Sequence, residues 1–218
     1  MITLTDENYL KETYTLQLDH ARVTTSMLAK RFGTTAASVT GMLKKLAERN
    51  LVTYKPYRGI TLSASGRAIA LEVIRHHRLL ETYLAEAMGI PWDRVHEEAE
   101  RLEHALSEYL EQRIDELLGH PTVDPHGSPI PTKEGTIIET KRLRLSDVPE
   151  GRTVEIVEVW DRDSEMLLHL DRLGLHLHTR LKVVRIEPID QLVTIEVNKK
   201  QNVIGRKTAQ HVFVTKLN

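Results

Sequence analysis

The segment Val95-His96-Glu97-Glu98-Ala99-Glu100-Arg101-Leu102-Glu103-His104 concentrates imidazoles and carboxylates at helical spacing. At about 100° per residue, His96, Glu100, Glu103 and His104 fall on one flank of a helix, roughly 100° around from the centre of an apolar stripe. That stripe is Val95, Ala99, Leu102, Leu106, Tyr109, Leu110 and Leu117. Carboxylates and imidazoles at i, i+3 and i+4 are a pattern that helical sites use to hold divalent cations, with other helices completing the coordination sphere. His77 and Glu81, at i and i+4 on the preceding helical stretch, offer part of a second site. A solvated acidic helix accounts for the same residues, since Glu97, Glu98, Glu108, Glu111 and Glu116 make the whole stretch acidic. The chain contains no cysteine, which excludes disulfides and thiolate metal sites and leaves histidine, carboxylate, amide and backbone oxygen as donors.

A second group of residues suits a duplex. A helix beginning near Thr35 presents Thr35, Ala37, Ser38, Thr40 and Gly41 toward its start, then Lys44 and Lys45. Small side chains let a helix sit deep in the major groove, while the lysines and Arg58, at the tip of the following hairpin, reach phosphates.

The elements that must carry these residues follow from caps and periodicity. Helix one spans residues 5 to 19, with Thr5-Asp6-Glu7 at its start. Thr24-Thr25-Ser26 caps a short helix that stops at Gly33, and Thr34-Thr35 opens the next. A strand from Leu51 to Lys55, a turn at Pro56-Tyr57-Arg58-Gly59 and a strand at Ile60 to Leu62 complete a winged helix-turn-helix. A long helix runs from Ser65 or Gly66 to about Met88, breaks at Gly89-Ile90-Pro91, and a second long helix continues from near Trp92 to about Leu118. Residues 119 to 135 hold Pro121, Pro125, Pro129 and Pro131 and read as an ordered loop or linker. Beyond residue 146, β-rich runs at 153–159, 180–186, 192–197, 203–204 and 211–214, with a helix near 164–173, make a small barrel-like β domain.

The chain of 218 residues, 40% hydrophobic and 28% charged, has ordinary globular composition and room for two or three domains. The expected division is 1–72 for DNA binding, 73–145 for metal binding and dimerisation with the Pro-rich linker, and 146–218 for the β domain. Its net charge of −1 hides an asymmetry: residues 1–75 carry 11 Lys and Arg against 6 Asp and Glu, and residues 76–145 carry 8 against 14. A basic module suits a polyanion and an acidic, histidine-bearing one suits a cation. The amino terminus lacks a leader-like pattern and no window reaches the length of a membrane-spanning helix, so the expectation is a cytoplasmic protein with no membrane partner.

The order of winged helix, HHRLLE (76–81), RVHEEAERLEH (94–104), PTVDPHGSPIP (121–131) and a terminal β domain resembles the diphtheria-toxin-repressor and manganese-transport-regulator family. The resemblance implies a mainly α protein with a helical dimerisation domain and a C-terminal SH3-like, FeoA-like β barrel. It implies a non-enzymatic, homodimeric transcriptional repressor on a palindromic double-stranded operator of metal-uptake genes. It also implies a primary metal site at Asn8, Glu100, Glu103 and His104 and an ancillary site at His77, Glu81 and His96, with Asp161, Asp163 or Glu165 as candidates from the β domain. Iron-type members carry methionine and cysteine where this chain has Asn8 and Glu100. The oxygen-rich remainder favours Mn²⁺ as corepressor over Fe²⁺, and other divalent transition metals are expected to substitute in vitro. Manganese-type members carry acids where this chain has Asn8 and Lys11, and a lysine there repels a cation.

His169, His176 and His178, with Asp171, and His20, His120, His126 and His211 are read as surface or hydrogen-bonding residues and not as ligands. Two other readings stand beside the metal-dependent regulator. One is a winged-helix regulator answering a non-metal ligand, and the other is a metal-dependent hydrolase, for which the chain offers no HExxH, phosphate loop or nucleophile elbow.

Overall fold

The computed structural model describes residues 2–55, 59–138 and 142–217, in two compact units. Arg58, expected at the wing tip, lies outside the described residues. The first unit comprises Met1–His77, Glu103–Leu106 and Pro131–Thr136, and the second comprises Arg78–Leu102, Ser107–Ile130 and Ile137–Asn218.

In the first unit, α1 (Leu4–Asp19) starts one residue earlier than expected because Thr3 is its cap. The Thr3 hydroxyl accepts from the Asp6 N–H, and the Asp6 carboxylate accepts from the Thr3 N–H, a reciprocal capping box. Helix α2 (Thr25–Phe32) is capped by Thr24 and ends at Gly33, whose φ of 60° is left-handed. Helix α3 (Ala36–Glu48) is capped by Thr35, whose hydroxyl accepts from the Ser38 N–H. Strands β1 (Val52–Lys55) and β2 (Gly59–Leu62) pair antiparallel from Val52↔Leu62 to Lys55↔Gly59 and make the wing. Leu10 from α1, Leu28 from α2, Val39, Leu43 and Leu46 from α3, and Ile60 from β2 are all at 2% exposure or less, so the helices and the wing share one core. Helix α4 (Ala64–Glu86) follows the wing, and residues up to His77 belong to this unit.

The second unit departs from expectation in its helices. The single helix expected from Trp92 to Leu118 is two: α5 (Val95–Leu102) and α6 (Glu108–Leu117). Ser107 is the reason on the α6 side, since its hydroxyl accepts from the Leu110 N–H and starts a new helix with Glu108 and Glu111 in the first turn. The expected β domain is present as an antiparallel sheet. Its strands are β3 (Leu143–Arg144), β4 (Thr153–Val159), β5 (Arg180–Glu187), β6 (Leu192–Val197), β7 (Lys200–Gly205) and β8 (Val212–Lys216), in the order β3-β8-β4-β5-β6-β7. Register shifts at Ile156/Glu158 and Val183/Arg185 mark bulges that bend it. Helix α7 (Ser164–Leu173) supplies Leu167 and Leu170 to a core with Ile156, Val183, Ile195 and Val212.

The proline-rich loop is ordered and lies along β4. The Val159 N–H donates to the His126 carbonyl at 2.9 Å, and the Ser128 hydroxyl donates to Glu158 at 3.0 Å. Gly127, at φ 88°, comes so close that a Cβ would stand 2.1 Å from the Val157 carbonyl oxygen, so no other residue fits.

Candidate metal centres and nucleic-acid face

In the first unit, α1 and the turn at 103–106 bring titratable groups together. His104 reaches two α1 side chains: its Nδ1 lies 2.6 Å from Glu7 Oε2 and its Nε2 lies 2.9 Å from Asn8 Oδ1. Glu103 is 1% exposed, and its two oxygens are divided. Lys11 Nζ donates to Oε1 at 2.5 Å, and His77 Nδ1 meets Oε2 at the same distance. Burial pushes the Glu103 carboxyl up, but the hydrogen bond and charge of His77, then those of Lys11, outweigh it and hold the group below the ordinary carboxylate range. His76 Nδ1 lies 3.2 Å from the Glu103 carbonyl, which fixes the turn itself.

Three of the four residues expected in a primary site, Asn8, Glu103 and His104, are thus together. Glu7, which the helical pattern did not single out, joins them, and His77, expected in the ancillary set, contacts Glu103 through Nδ1. The fourth, Glu100, stays on α5 beside His96, with Oε1 3.7 Å from Nε2. Helix α5 ends at Leu102, and Glu103 and His104 lie in the turn that follows it.

The second unit holds another cluster. Ligand atoms of Glu81, Asp124, His126 and Asp161 all lie within 4.8 Å of one another. Donors on opposite sides of an ion bound at about 2.2 Å stand about 4.4 Å apart, so the spread suits one divalent ion. His96 borders the cluster, its Nδ1 3.0 Å from Glu81 Oε1 and 3.9 Å from Asp161 Oδ2. Glu81, His96 and Asp161 were expected, whereas Asp163 caps α7 through the Met166 N–H and Glu165 sits in its first turn.

Asp124 and His126 are the residues that spacing missed, and both are built for the cluster. Asp124 Oδ1 accepts from the N–H groups of His126 and Ser128, which forms the turn, while its buried Oδ2 has no hydrogen-bond partner and Arg78 Nε is 3.6 Å away. His126 Nε2 faces the Trp92 carbonyl at 2.7 Å, and a carbonyl can only accept, so Nε2 carries the proton. The buried Nδ1, without a hydrogen-bond partner, is left for the carboxylates or for a cation. Burial and the Glu81 carboxylate push the Asp124 carboxyl up to about 7, against the pull of Arg78 and His126. Burial disfavours a charged His126, but the carboxylates of Glu81, Asp161 and Asp124 outweigh it and raise the imidazole above its ordinary value. A site of this kind strains to hold its charges apart without a cation among them. The signal available in the sequence was Asp-Pro-His-Gly, a ligand pair at i and i+2 inside an ordered turn.

The face expected to meet DNA is open. Thr35, Ala37, Ser38, Gly41, Lys44 and Lys45 are exposed and Thr40 is half-buried. A Cβ at Gly41 would meet nothing within 4 Å, so no packing demand inside the protein accounts for a glycine in mid-helix. The ring of Tyr9 on α1 stacks on Phe32 of α2 at 4.3 Å, and Arg31 of α2 donates to Glu12 of α1 at 2.7 Å. These contacts carry the position of α1 to the helix-turn-helix.

A winged helix with an open recognition face and two histidine–carboxylate clusters define a DNA-binding regulator of the metal-responsive class. Residues 1–60 match the family model described as the iron dependent repressor, N-terminal DNA binding domain. Residues 63–132 match the iron dependent repressor, metal binding and dimerisation domain, and residues 143–216 match the FeoA domain. The iron-dependent repressor IdeR of Mycobacterium leprae (strain TN) is 31% identical over 207 residues, covering 92% of this chain and 87% of that protein. A solved manganese-dependent transcriptional repressor in complex with manganese has a TM-score of 0.93 and 36% identity, covering 97% of this chain and all of that one. ScaR with bound Cd²⁺ has a TM-score of 0.86 and 30% identity over 97% of this chain and 99% of that one. The chain belongs to the diphtheria-toxin-repressor family of iron- and manganese-dependent transcriptional repressors.

Proposed function

We propose that this protein represses metal-uptake genes as a homodimer on a palindromic operator, with Mn²⁺ or Fe²⁺ as corepressor and Mn²⁺ favoured. The observation that carries this reading is the convergence of Glu7 and Asn8 of α1 with Glu103 and His104 of the following turn, His104 within 2.9 Å of both α1 side chains. Glu7, Asn8, Glu103 and His104 would hold one ion, and Glu81, Asp124, His126 and Asp161, bordered by His96, another. Both sets offer oxygen and imidazole nitrogen with no sulfur, which suits these two metals by ligand hardness. A bound divalent ion supplies the positive charge that lets these buried donors share one position. The chain's own residues do the rest: Glu7 and Asn8 fix α1 to the turn, and Tyr9 and Glu12 pass that position to α2 through Phe32 and Arg31. The shift in DNA affinity equals the difference in metal affinity between the arrangement that docks and the ones that do not.

The test is fluorescence anisotropy on a promoter fragment from a manganese- or iron-uptake gene, at fixed salt and without oxygen, titrating Mn²⁺ and Fe²⁺ with chelator as control. Affinity is expected to tighten at least about tenfold with metal, a coupling of about 1.4 kcal/mol. Glu103→Ala and His104→Ala are expected to remove the response. Metal dependence that survives both substitutions would leave a regulator governed from elsewhere in the chain, and affinity indifferent to metal would favour the non-metal ligand.

A further inference from the structure

We propose that Trp92 is a positioning residue of the second unit's cluster, seating the His126 imidazole for a cation while its own ring is held by the β-domain core. The proposal rests on reading Glu81, Asp124, His126 and Asp161 as a metal site. Trp92 stands in the turn that opens α5, where the Pro91 carbonyl accepts from the N–H groups of Arg94 and Val95. Its own carbonyl accepts from His126 Nε2 at 2.7 Å, and its indole stacks on the same imidazole, with centroids 5.8 Å and planes 23° apart. One residue therefore meets His126 twice. The indole also meets the His176 ring at 5.4 Å and packs against the core of the β domain, to which Leu170 and Leu175 belong.

The two contacts fix different things. The carbonyl sets which nitrogen carries the proton, and the ring restricts how the imidazole can turn, so that the buried Nδ1 stays toward the carboxylates, 3.9 Å from Glu81 Oε2. His126 needs such a partner because it sits on a loop. Asp124 Oδ1 accepts from the loop's N–H groups and the Val159 N–H donates to the His126 carbonyl, but those bonds hold main chain and leave the imidazole to its neighbours. Trp92 is kept in place by the β domain: Leu175 is fully buried, and the next residue, His176, donates its N–H to Thr179 Oγ1 at 3.2 Å. The cluster's affinity for an ion therefore depends on an indole that offers no ligand atom, and on the packing beneath it.

The test is calorimetric titration of the full-length protein with Mn²⁺ in a Glu103→Ala background, which isolates this cluster from the one on α1. Asp124→Ala is expected to abolish the remaining binding. Binding that persists unchanged would show that the cluster is not a metal site, and the proposal would fall with that reading. Trp92→Ala keeps the carbonyl but removes the ring, and is expected to weaken Mn²⁺ binding at least about tenfold, the scale on which the outer partners of a metal ligand act. Trp92→Phe, which restores an aromatic face, is expected to recover most of the affinity. Leu177→Ala is the control for lost stability, because Leu177 is also partly buried against the β-domain core. It is expected to lower the melting temperature without that loss of affinity. With Asp124→Ala behaving as expected, affinity unchanged in Trp92→Ala, or lowered equally in Leu177→Ala, would overturn the proposal while leaving the metal site in place. In chelator, amide exchange at His126 and Ser128 is expected to speed up in Trp92→Ala and not in Leu177→Ala. Equal exchange in the two variants would mean that the loop is held without the indole, which would overturn it as well.

Discussion

Gly41 and Asp124 show how single residues separate function from stability. A glycine in the middle of a helix costs about 0.5–1 kcal/mol relative to alanine, and at Gly41 a methyl group would touch nothing in the protein. Gly41→Ala is therefore expected to stabilise the protein by about that amount in denaturant titrations while weakening operator binding several-fold. Unchanged DNA affinity would remove Gly41 from the interface. Asp124 runs the opposite way, because its folded carboxyl titrates near 7 against an ordinary 3.8. A folded value above the unfolded one contributes stability at pH below the unfolded value and loses it as the pH rises through the folded one. The melting temperature of the protein in chelator is accordingly expected to fall by several degrees between about pH 5 and pH 7.5, and Asp124→Asn is expected to flatten that slope. An equal slope in both proteins would count against a buried, electrostatically opposed Asp124.

At the scale of elements, the connections matter more than the helices they join. A continuous helix from Trp92 to Leu118 would have kept His96, Glu100, Glu103 and His104 on one flank. Glu103 and His104, in the turn after α5, meet His77 and the α1 side chains of Lys11, Glu7 and Asn8, while His96 on α5 meets Glu81, Glu100 and Asp161. The 119–130 loop works in a similar way. Asp124 and His126 reach the cluster because the loop lies against β4, and Gly127 permits that approach. Gly127→Ala combines a left-handed φ of 88° with a Cβ 2.1 Å from a carbonyl oxygen. It is expected to cost about 2 kcal/mol or more in stability and to weaken Mn²⁺ binding at the Asp124 cluster in calorimetric titrations, leaving the α1 cluster unchanged. Equal affinity in the variant would mean that the loop can carry Asp124 and His126 without this contact.

For the whole molecule, the large apolar residues left substantially exposed among the described residues are as informative as the core. Tyr109, Leu110 and Leu117 on α6 are 75%, 48% and 68% exposed, and Leu102 on α5 is 45% exposed. Together with the match of residues 63–132 to a dimerisation domain, these exposed side chains support a two-fold interface of the kind that sets half-site spacing on an operator. Leu110→Glu combined with Leu117→Glu is expected to shift the protein to monomer in sedimentation equilibrium and to lower operator affinity by more than about tenfold. A dimer that persists in the double variant would move the interface to another surface. The expectation of no membrane partner has a limited counterpart: no helix among the described residues is long and apolar enough to cross a bilayer.

The winged helix, the strands and helix of the β domain, and the identity of most candidate ligands were legible in the sequence because they rest on local signals. The Thr24, Gly33 and Thr35 caps, the period-2 runs at 153–159 and 192–197, and the HHRLLE and RVHEEAERLEH segments are local or recognisable patterns. Tertiary structure decided which candidate ligands stand together. Helical periodicity relates residues only within one helix, and α5 ends at Leu102 while α6 begins at Glu108. It also brought in Glu7, Asp124 and His126, whose partners are 97, 43 and 45 positions away at His104, Glu81 and again Glu81. Lys11 is the clearest case: 92 positions from Glu103 along the chain, it reads as a cation out of place until burial brings the two within 2.5 Å and makes the lysine part of the site.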